Sequence, residues 1–461
     1  MNSSTPEPSV IVVGAGISGL ACAFWLQRRG IRVTVLEKNR APGGAMGSVK
    51  ERGFLVEQGP NSALETTPLF AEIFAAAGVQ AEKVNANPES SRRFILRGGR
   101  LIALPMSPPA FLATPLFSLG AKLRLFREPF IGRGEGEETV AEFVRRRLGQ
   151  EFLDYAINPF VAGVYAGDPE RLSVPAAFPR LVELEAKYGS LIRGQIQGAR
   201  ERKKRAEKSR QSAPMFSFRD GMATLPRAIA AKLADVRLGV AVDSVERTAD
   251  GYRVAGRDGA DAPVTVEARS VVLAMPAYAA APLVQPLAAE AADALAGIEY
   301  PPVAVVATGY RRVPGMHPLD GFGFLIPAKE NRRILGTLFS STLFPGRAPE
   351  GLALLTSFVG GMRQPGFARQ PENDLVAMVA DEQRQLLGCP PTPEFSRVTF
   401  WPKAIPQYAP GHLQRMEHLA RAQEQLPGLY FCANYRGGVS VGDCVKSAHA
   451  MAERVATWLQ R

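Results

Sequence analysis

Gly14, Gly16 and Gly19 stand in G-x-G-x-x-G spacing between the apolar run "SVIVVGAG" and a stretch from Ile17 to Arg29 whose apolar residues recur at helical intervals. A strand that feeds a helix through such a turn offers free amide groups and the positive end of the helix dipole to a pyrophosphate. The first glycine makes the tight turn, the second lets the phosphate approach the backbone, and the third lets helix and strand pack closely. "IRVTVLE" reads as a second strand and ends on Glu37, eighteen residues after Gly19. A carboxylate there accepts both ribose hydroxyls and repels a 2′-phosphate. The chemistry indicated is dinucleotide binding. No Ser/His or His/Asp constellation accompanies it. The four histidines, His317, His412, His418 and His449, have no ligand spacing, and Cys22, Cys389, Cys432 and Cys444 contain no C-x-x-C pair. A structural metal and a disulfide framework are therefore not expected, and the cysteines read as small buried hydrophobes in a reducing compartment.

More distant pieces narrow the dinucleotide. Gly43 and Gly44 follow soon after Glu37, "VEQGPNS" spans residues 56–62, and the late strand "GLYFCAN" leads through "YRGGVSVGD" into a terminal helix beginning near Asp443. An NAD fold needs none of these, whereas large flavoproteins use the set. The start of the last helix would direct amides and a positive dipole end at the flavin C2 carbonyl and N1, where negative charge accumulates on reduction. Read alone, "CANYRGG" is equally an ordinary strand-to-helix turn. The stretch "NPFVAGVYAGDPERL", residues 158–172, has neither helical nor strand periodicity and reads as a loop, with its tyrosine packed beneath it or with a ligand against its glycines.

These residues need elements to hold them. Strand, helix and strand at the N-terminus form a β-α-β unit, the start of a doubly wound, Rossmann-like sheet. From about Ser107 to Gly198 helical segments broken by proline and glycine follow, including "LFSLGAKLRLF" and "ETVAEFVRRRLG". "VAVDSVERTADGYRVAG" reads as a hairpin around a D-G turn, and "SVVLAMP" as a strand. From Tyr300 onwards "VAVVATGYR", "GFGFLIP", "RILGTLF" and "ALLTSFVGG" suggest an antiparallel sheet. The fold class is thus α/β with α+β: a dinucleotide domain, a second domain with an antiparallel sheet, and a helical insertion. A chain of 461 residues that is 46% hydrophobic suits two or three domains.

The net charge is +11, and "RERKKRAEKSR" (Arg200 to Arg210) contributes seven cations and two acids. That run reads as a solvated mobile loop, with anionic lipid as the next reading. Nucleic acid is not expected, because no aromatic residue is interleaved for base stacking. No run of eighteen apolar residues and no secretory leader are seen, so a cytoplasmic chain, or one peripheral on the inner face of the membrane, is expected.

As an ordered set, "VEQGPNS", "GVYAGDPERLSV", "GFGFLIP", "LGTLFSS", "GGMRQP", "AIPQYAPGH" and "CANYRGGVSVGDCVKSAH" resemble the protoporphyrinogen oxidases, oxygen-dependent FAD enzymes late in haem synthesis. The resemblance runs from about residue 9 to the C-terminus. It implies an FAD-binding domain in three pieces (1–88, 220–286 and 425–461), a substrate domain (89–106, 201–219 and 287–424), and a helical domain (107–200) that meets the membrane in some members. For the flavin nucleotide it implies Gly14, Gly16, Ile17, Ser18, Gly19, Glu37 and Lys38, then Gly43 and Gly44. Gly59, Pro60, Asn61, Ser62, Val242, Val439 and Val441 complete the cofactor set. The family usually reads E-x-x-x-R-x-G-G, but "EKNRAPGG" has Arg40 one place early and Ala41 where arginine is expected. A phosphate contact then falls to Arg40 or to the amides.

The same resemblance puts the backbone carbonyl of Gly163 against the tetrapyrrole, holding its pyrrole N–H groups as the one catalytic element. A side chain there would occupy the ligand's place. It puts Phe322 and Leu325 on one face of the substrate, Leu338 and Phe358 on the other, and Arg93 on a propionate. Read from the strands alone, each of these four apolar residues could equally be core. Arg92 adjoins Arg93, and adjacent strand residues point to opposite faces, so one of the two can face the cavity. The implied reaction removes six hydrogens from protoporphyrinogen IX in three two-electron steps on FAD, with oxygen as acceptor and peroxide as product. Competing readings are coproporphyrinogen III oxidation, which calls for extra cavity arginines, and an amine oxidase or carotenoid desaturase, against which "GVYAGD" and "AIPQY" argue. A tetrapyrrole carrier that retains FAD is the non-catalytic alternative. Weak association with anionic membranes and a homodimer stay open as partners.

Overall fold

In the computed structural model, which describes residues 9–204 and 213–461, Val10–Val13 is the middle of five parallel strands. Their order is Asp235–Leu238, Val33–Glu37, Val10–Val13, Ser270–Leu273 and Leu429–Phe431. The first two strands of the chain are buried along their whole length, as parallel strands covered on both faces must be. Alternation divides them. Val10, Val12, Val33 and Val35 face the helices Ile17–Arg28 and Val441–Leu459. Ile11, Val13 and Leu36 face an antiparallel trio, Ala241–Arg247, Tyr252–Arg257 and Pro263–Ala268, with the helices Ala277–Val284 and Ala289–Ala296. The strand Asp235–Leu238 has no counterpart in the sequence reading, because a half-exposed edge strand carries no alternation to read.

The second sheet has seven strands in the order Phe395–Trp401, Val303–Arg311, Leu352–Gly360, Gly336–Leu338, Gly323–Leu325, Arg93–Arg97 and Arg100–Ala103. The strands from residue 303 onwards pair antiparallel, as expected, and the sheet's one parallel pairing is Gly323–Leu325 with Arg93–Arg97 from the N-terminal part of the chain, among the described residues. The hairpin of residues 93–103 comes from the N-terminal part of the chain and adds to the sheet's edge. One face packs Phe324, Tyr310 and Phe339 against the helix Glu372–Leu387. The other meets the helical region, where Val303, Val305 and Leu335 pack on Ala162 and Ala166.

The helical region contains Pro108–Ala113, Leu119–Arg124, Val140–Arg147, Asn158–Tyr165, Pro179–Tyr188 and Leu191–Lys204. Two sequence readings change here. Residues 158–165 form a helix and not a loop. Pro159 sits in its first turn, where a missing N–H costs nothing, and burial of Val161, Ala162 and Tyr165 outweighs the helix-weakening Gly163. The basic run likewise is helical through Lys204, since Arg, Lys and Glu are good helix formers. The remainder of that run, residues 205–210, lies outside the described residues.

A buried charge network ties the region together. Arg147 is 0% exposed, and its Nε donates to Glu185 Oε1 at 2.6 Å. Its Nη1 reaches Glu128 Oε1 at 3.1 Å and the carbonyls of Ile131 and Gly189, each at 3.0 Å. Glu128 in turn accepts from the amides of Leu191 at 2.8 Å and Ile192 at 3.2 Å, which satisfies the first turn of the helix Leu191–Lys204. Among the described residues no helix is long and apolar enough to cross a membrane.

Candidate active site

The glycine fingerprint has the geometry its spacing requires. A Cβ on Gly19 would lie 2.0 Å from the Gly14 carbonyl oxygen, so strand and helix touch there. A Cβ on Gly16 would meet nothing within 4 Å. Gly16 is the N-cap of the helix Ile17–Arg28 and has no side chain to occupy the first amides, which stay free for ligand oxygens. Gly43 donates its N–H to the Ala15 carbonyl at 2.8 Å, and Gly44 sits against Gly16. The turn containing Gly59, Pro60, Asn61 and Ser62 is pressed onto this segment: a Cβ on Gly59 would lie 2.2 Å from the Ala45 carbonyl oxygen.

Glu37 is buried at the end of its strand. Its Oε2 accepts the Ala15 N–H at 2.8 Å, while Oε1 accepts the Asn39 N–H at 2.9 Å and the Asn39 side-chain amide at 2.7 Å. The Val240 amide donates to the Glu37 carbonyl at 2.8 Å, bringing half-buried Val242 beside this strand end. Lys38 and Arg40 are exposed next to it. Ile17 and Ser18 are buried in the helix start. Val441 is the first residue of the terminal helix, which begins two residues ahead of the expected Asp443 because Ser440 caps it, its hydroxyl accepting the Asp443 N–H at 3.1 Å. Half-buried Val439 packs on the core of the helical region. A buried carboxylate, an open helix start and glycines in close approach fit a flavin dinucleotide.

The second sheet and the helix Asn158–Tyr165 build the other half. Ala166 adopts a left-handed conformation, and the amides of Ala166 and Gly167 both turn to the Val161 carbonyl. The Gly163 carbonyl is thereby left without a backbone donor among the described residues, at the negative end of its helix. A Cβ on Gly163 would lie 2.8 Å from Leu325 Cδ2, so Leu325 lies directly on this glycine. Gly336 is the cross-strand partner of both Leu325 and Phe358, and Phe358 packs with Ala162 and Ala166. Leu338, paired with Gly323 and Thr356, is half-buried on the strand between them.

Strict alternation would put Phe322 and Leu325 on opposite faces. Gly323, at φ +138°, breaks the alternation, and both side chains stay half-exposed while Phe324 enters the core. The Arg93 guanidinium lies 5.3 Å from the centre of the Phe322 ring. Arg92 is instead bonded to Asp320 at 2.6 Å, which leaves Arg93 as the one beside the apolar wall. The structure also brings in groups that were not singled out from the sequence. Met362 N–H donates to the Ala166 carbonyl at 2.7 Å, and Arg363 Nη1 donates to the Ile326 carbonyl at 3.0 Å. Burial lowers Arg363 to about 10. "GGMRQP" carried these residues in the sequence, but a half-buried arginine behind a wall has no periodic signal.

The model of the flavin containing amine oxidoreductases matches residues 17–456, and the chain belongs to that family. It is an FAD-dependent oxidoreductase. Within the family it is similar to the chloroplastic protoporphyrinogen oxidase of Oryza sativa subsp. japonica, at 36% identity over 98% of this chain and 88% of that protein. It is also similar to the coproporphyrinogen III oxidase of Bacillus subtilis, at 28% identity over 99% of each. The fold is shared with a crystal structure from Exiguobacterium sp. 255-15, with a TM-score of 0.81 at 24% identity over 98% of this chain and 99% of that one.

Proposed function

We propose that the protein oxidises protoporphyrinogen IX to protoporphyrin IX in haem biosynthesis, with oxygen as the final acceptor and peroxide as product. The observation that carries the reading is the Gly163 carbonyl, free of a backbone donor among the described residues, on a residue that Leu325 lies against and whose neighbour Ala162 packs with Phe358. A flat, apolar substrate whose inner edge is a ring of N–H donors is complementary to such a surface. FAD, when bound, supplies the two-electron acceptor, used three times for the six hydrogens lost. The residues of the chain supply the rest. The Gly163 carbonyl accepts the pyrrole N–H groups and fixes the macrocycle's depth. Phe322 and Leu325, with Leu338 and Phe358 opposite, clamp its faces and exclude water. Arg93, exposed at the rim, pairs with a propionate.

In the cofactor half, Glu37 accepts the ribose hydroxyls and the amides of Ile17 to Gly19 receive the pyrophosphate, so the arginine missing at position 41 is not needed. Val439 and Val441 face the flavin ring. The segments 9–88, 220–286 and 425–461 are assigned to the cofactor, and 89–106 and 287–424 to the substrate; the strand Met215–Phe218, expected with the substrate piece 201–219, pairs instead with Ala63–Leu64 and Lys83–Asn85 of the first flavin segment.

Oxygen consumption by the purified flavoprotein with protoporphyrinogen and with coproporphyrinogen tests the reading. Protoporphyrinogen is the expected preferred substrate, since one rim arginine suits two propionates better than four. A higher kcat/KM for coproporphyrinogen reassigns the substrate, and no turnover with either makes the protein a carrier. In the same assay Phe358→Ala is expected to raise KM about tenfold with flavin content unchanged, the loss of roughly 1.4 kcal/mol of apolar contact. Lost stability with unaltered kinetics would return Phe358 to the core.

The helical region is proposed to rest on the surface of anionic membranes. Leu119, Leu123, Phe126 and Phe130 are exposed on it, Phe126 at 71% and Phe130 at 82%, close in sequence to Lys122 and Arg127. Binding of the protein to anionic vesicles is expected to weaken with salt and to fall when Phe126 and Phe130 are both replaced by serine. If that pair has no effect while neutralising Lys203, Lys204 and Lys208 abolishes binding, attraction by the basic run alone accounts for it.

A further inference from the structure

The stretch "AIPQYAPGH" binds neither ligand in the reading above, yet its residues touch both halves of the site. Gln407 is 4% exposed, and its Nε2 donates to the Tyr165 carbonyl at 2.8 Å and to the Ile405 carbonyl at 3.0 Å. Tyr165 ends the helix that carries Gly163. The next residue, Tyr408, is 3% exposed and uses its hydroxyl twice. It donates to the Asn434 carbonyl at 2.6 Å and accepts the Gly438 N–H at 3.1 Å. Those two groups lie on either side of the turn between the strand Leu429–Phe431 and the terminal helix.

The Tyr408 backbone carbonyl also accepts the Ser173 N–H at 2.7 Å, and its ring meets Tyr165 edge-on with centres 5.9 Å apart. His412 stacks on Tyr408: its ring lies 4.2 Å from that of Tyr408 at an angle of 14°. His412 Nε2 meets the Tyr435 carbonyl at 2.9 Å, which fixes the proton on Nε2. Burial lowers His412 to about 4, so it stays neutral and donates at physiological pH. Burial likewise holds the Tyr408 phenol well above 10, so its proton remains available to Asn434.

We propose that Gln407 and Tyr408 are positioning residues that set the gap between the Gly163 end of the substrate helix and the turn Asn434–Gly438 beside the flavin. This rests on the porphyrinogen reading and on the placement of Val439 and Val441 at the flavin ring. The substrate helix and the turn come from segments about 270 residues apart, and two consecutive side chains hold one each. Transfer between two bound partners is sensitive to their separation. A displacement of about 1 Å costs roughly a hundredfold in rate, so a short rigid link is where that distance is set. Tyrosine is required over phenylalanine because one hydroxyl closes the turn from both sides, as donor and as acceptor.

The test uses the FAD-loaded protein with protoporphyrinogen, anaerobically, following flavin reduction by stopped flow. Tyr408→Phe keeps the ring and its stacking and removes only the two hydrogen bonds. Its limiting reduction rate is expected to fall about tenfold or more while the porphyrinogen dissociation constant changes by less than about twofold. The visible circular dichroism of its bound flavin should also change before any substrate is added. Gln407→Met removes the side-chain bonds to the Tyr165 and Ile405 carbonyls and leaves the Tyr408 hydroxyl in place, and is expected to slow reduction with the flavin dichroism unchanged. Reduction rates per bound flavin that match the unmodified protein in both variants overturn the proposal and leave Gln407 and Tyr408 a structural role. If the unmodified protein is reduced by neither porphyrinogen, the functional reading fails separately. Flavin dichroism and the midpoint potential then decide for Tyr408, and no change in either sinks its role. Should Tyr408→Phe not fold, the reduction rate of Gln407→Met decides.

Discussion

Glu37→Ala is expected to lose most of its FAD on simple dilution, while the apoprotein remains folded. The carboxylate is buried and already holds the Ala15 amide and both amides of Asn39. It therefore fixes the glycine loop to the end of the second strand, and in the proposed site it also presents oxygens to the ribose. Removing two charge-assisted hydrogen bonds costs on the order of 2 to 4 kcal/mol, which is roughly a 30- to 700-fold weaker dissociation constant. Fluorescence titration of FAD into the stripped protein measures it, and wild-type affinity would remove Glu37 from the nucleotide site. No cysteine or histidine stands in an attachment motif beside the fingerprint, so denaturation of the unmodified protein is expected to release intact FAD into the supernatant.

Arg147→Met should have the largest effect on stability. The arginine is the sole side chain that bonds both Glu128 and Glu185 among the described residues. Its removal leaves the buried Glu128 carboxylate without its cation and Glu185 with Arg146 alone, at a cost of about 3 to 5 kcal/mol. The damage should be local, since Glu128 also serves the start of the helix Leu191–Lys204. Limited proteolysis is expected to cut within the helical region while the flavin spectrum persists. Global unfolding with loss of flavin at the same midpoint would show instead that this region and the nucleotide sheet unfold as one unit.

Acid should act on the same network. Burial alone would raise the Glu185 carboxyl, but hydrogen bonds from Arg146 and Arg147 outweigh it and hold the group below its ordinary value of 4.5. A depressed carboxylate contributes its stability above that ordinary value and loses it as pH falls through the lower folded one. The helical region is accordingly expected to loosen below about pH 4.5, and Arg147→Met to weaken this part of the acid dependence, which Arg146 alone then carries.

The nucleotide half was readable because its chemistry is local in sequence. Gly14 to Glu37 form one continuous β-α-β unit, and each residue's task is visible in its spacing. The substrate half was not, for three physical reasons. Leu325 and Phe358 flank Gly336 from the two neighbouring strands, a relation fixed by strand pairing that no local pattern records. The helix bearing Gly163 is held by contacts with Gln407 and Met362, more than 190 residues away, so local propensity misread it as a loop. Gln407 and Tyr408 act by bridging segments, and a polar pair between two prolines looks like any other turn. The familiar order of motifs located these residues, but only the fold relates them to each other.

The five-stranded sheet also constrains how the protein comes into being. Its strands lie at residues 10–13, 33–37, 235–238, 270–273 and 429–431, so the sheet cannot close until nearly the whole chain has left the ribosome. At about 5 to 20 residues per second, the first strand waits roughly 20 to 80 s for its last partner. During that time Val10 to Val13 and Val33 to Leu36 expose apolar edges that are buried on both faces once folding is complete. The flavin pocket is then a late product of synthesis. Cofactor supply and chaperone occupancy during those seconds, more than the stability of the finished enzyme, should govern how much of the chain reaches its working form.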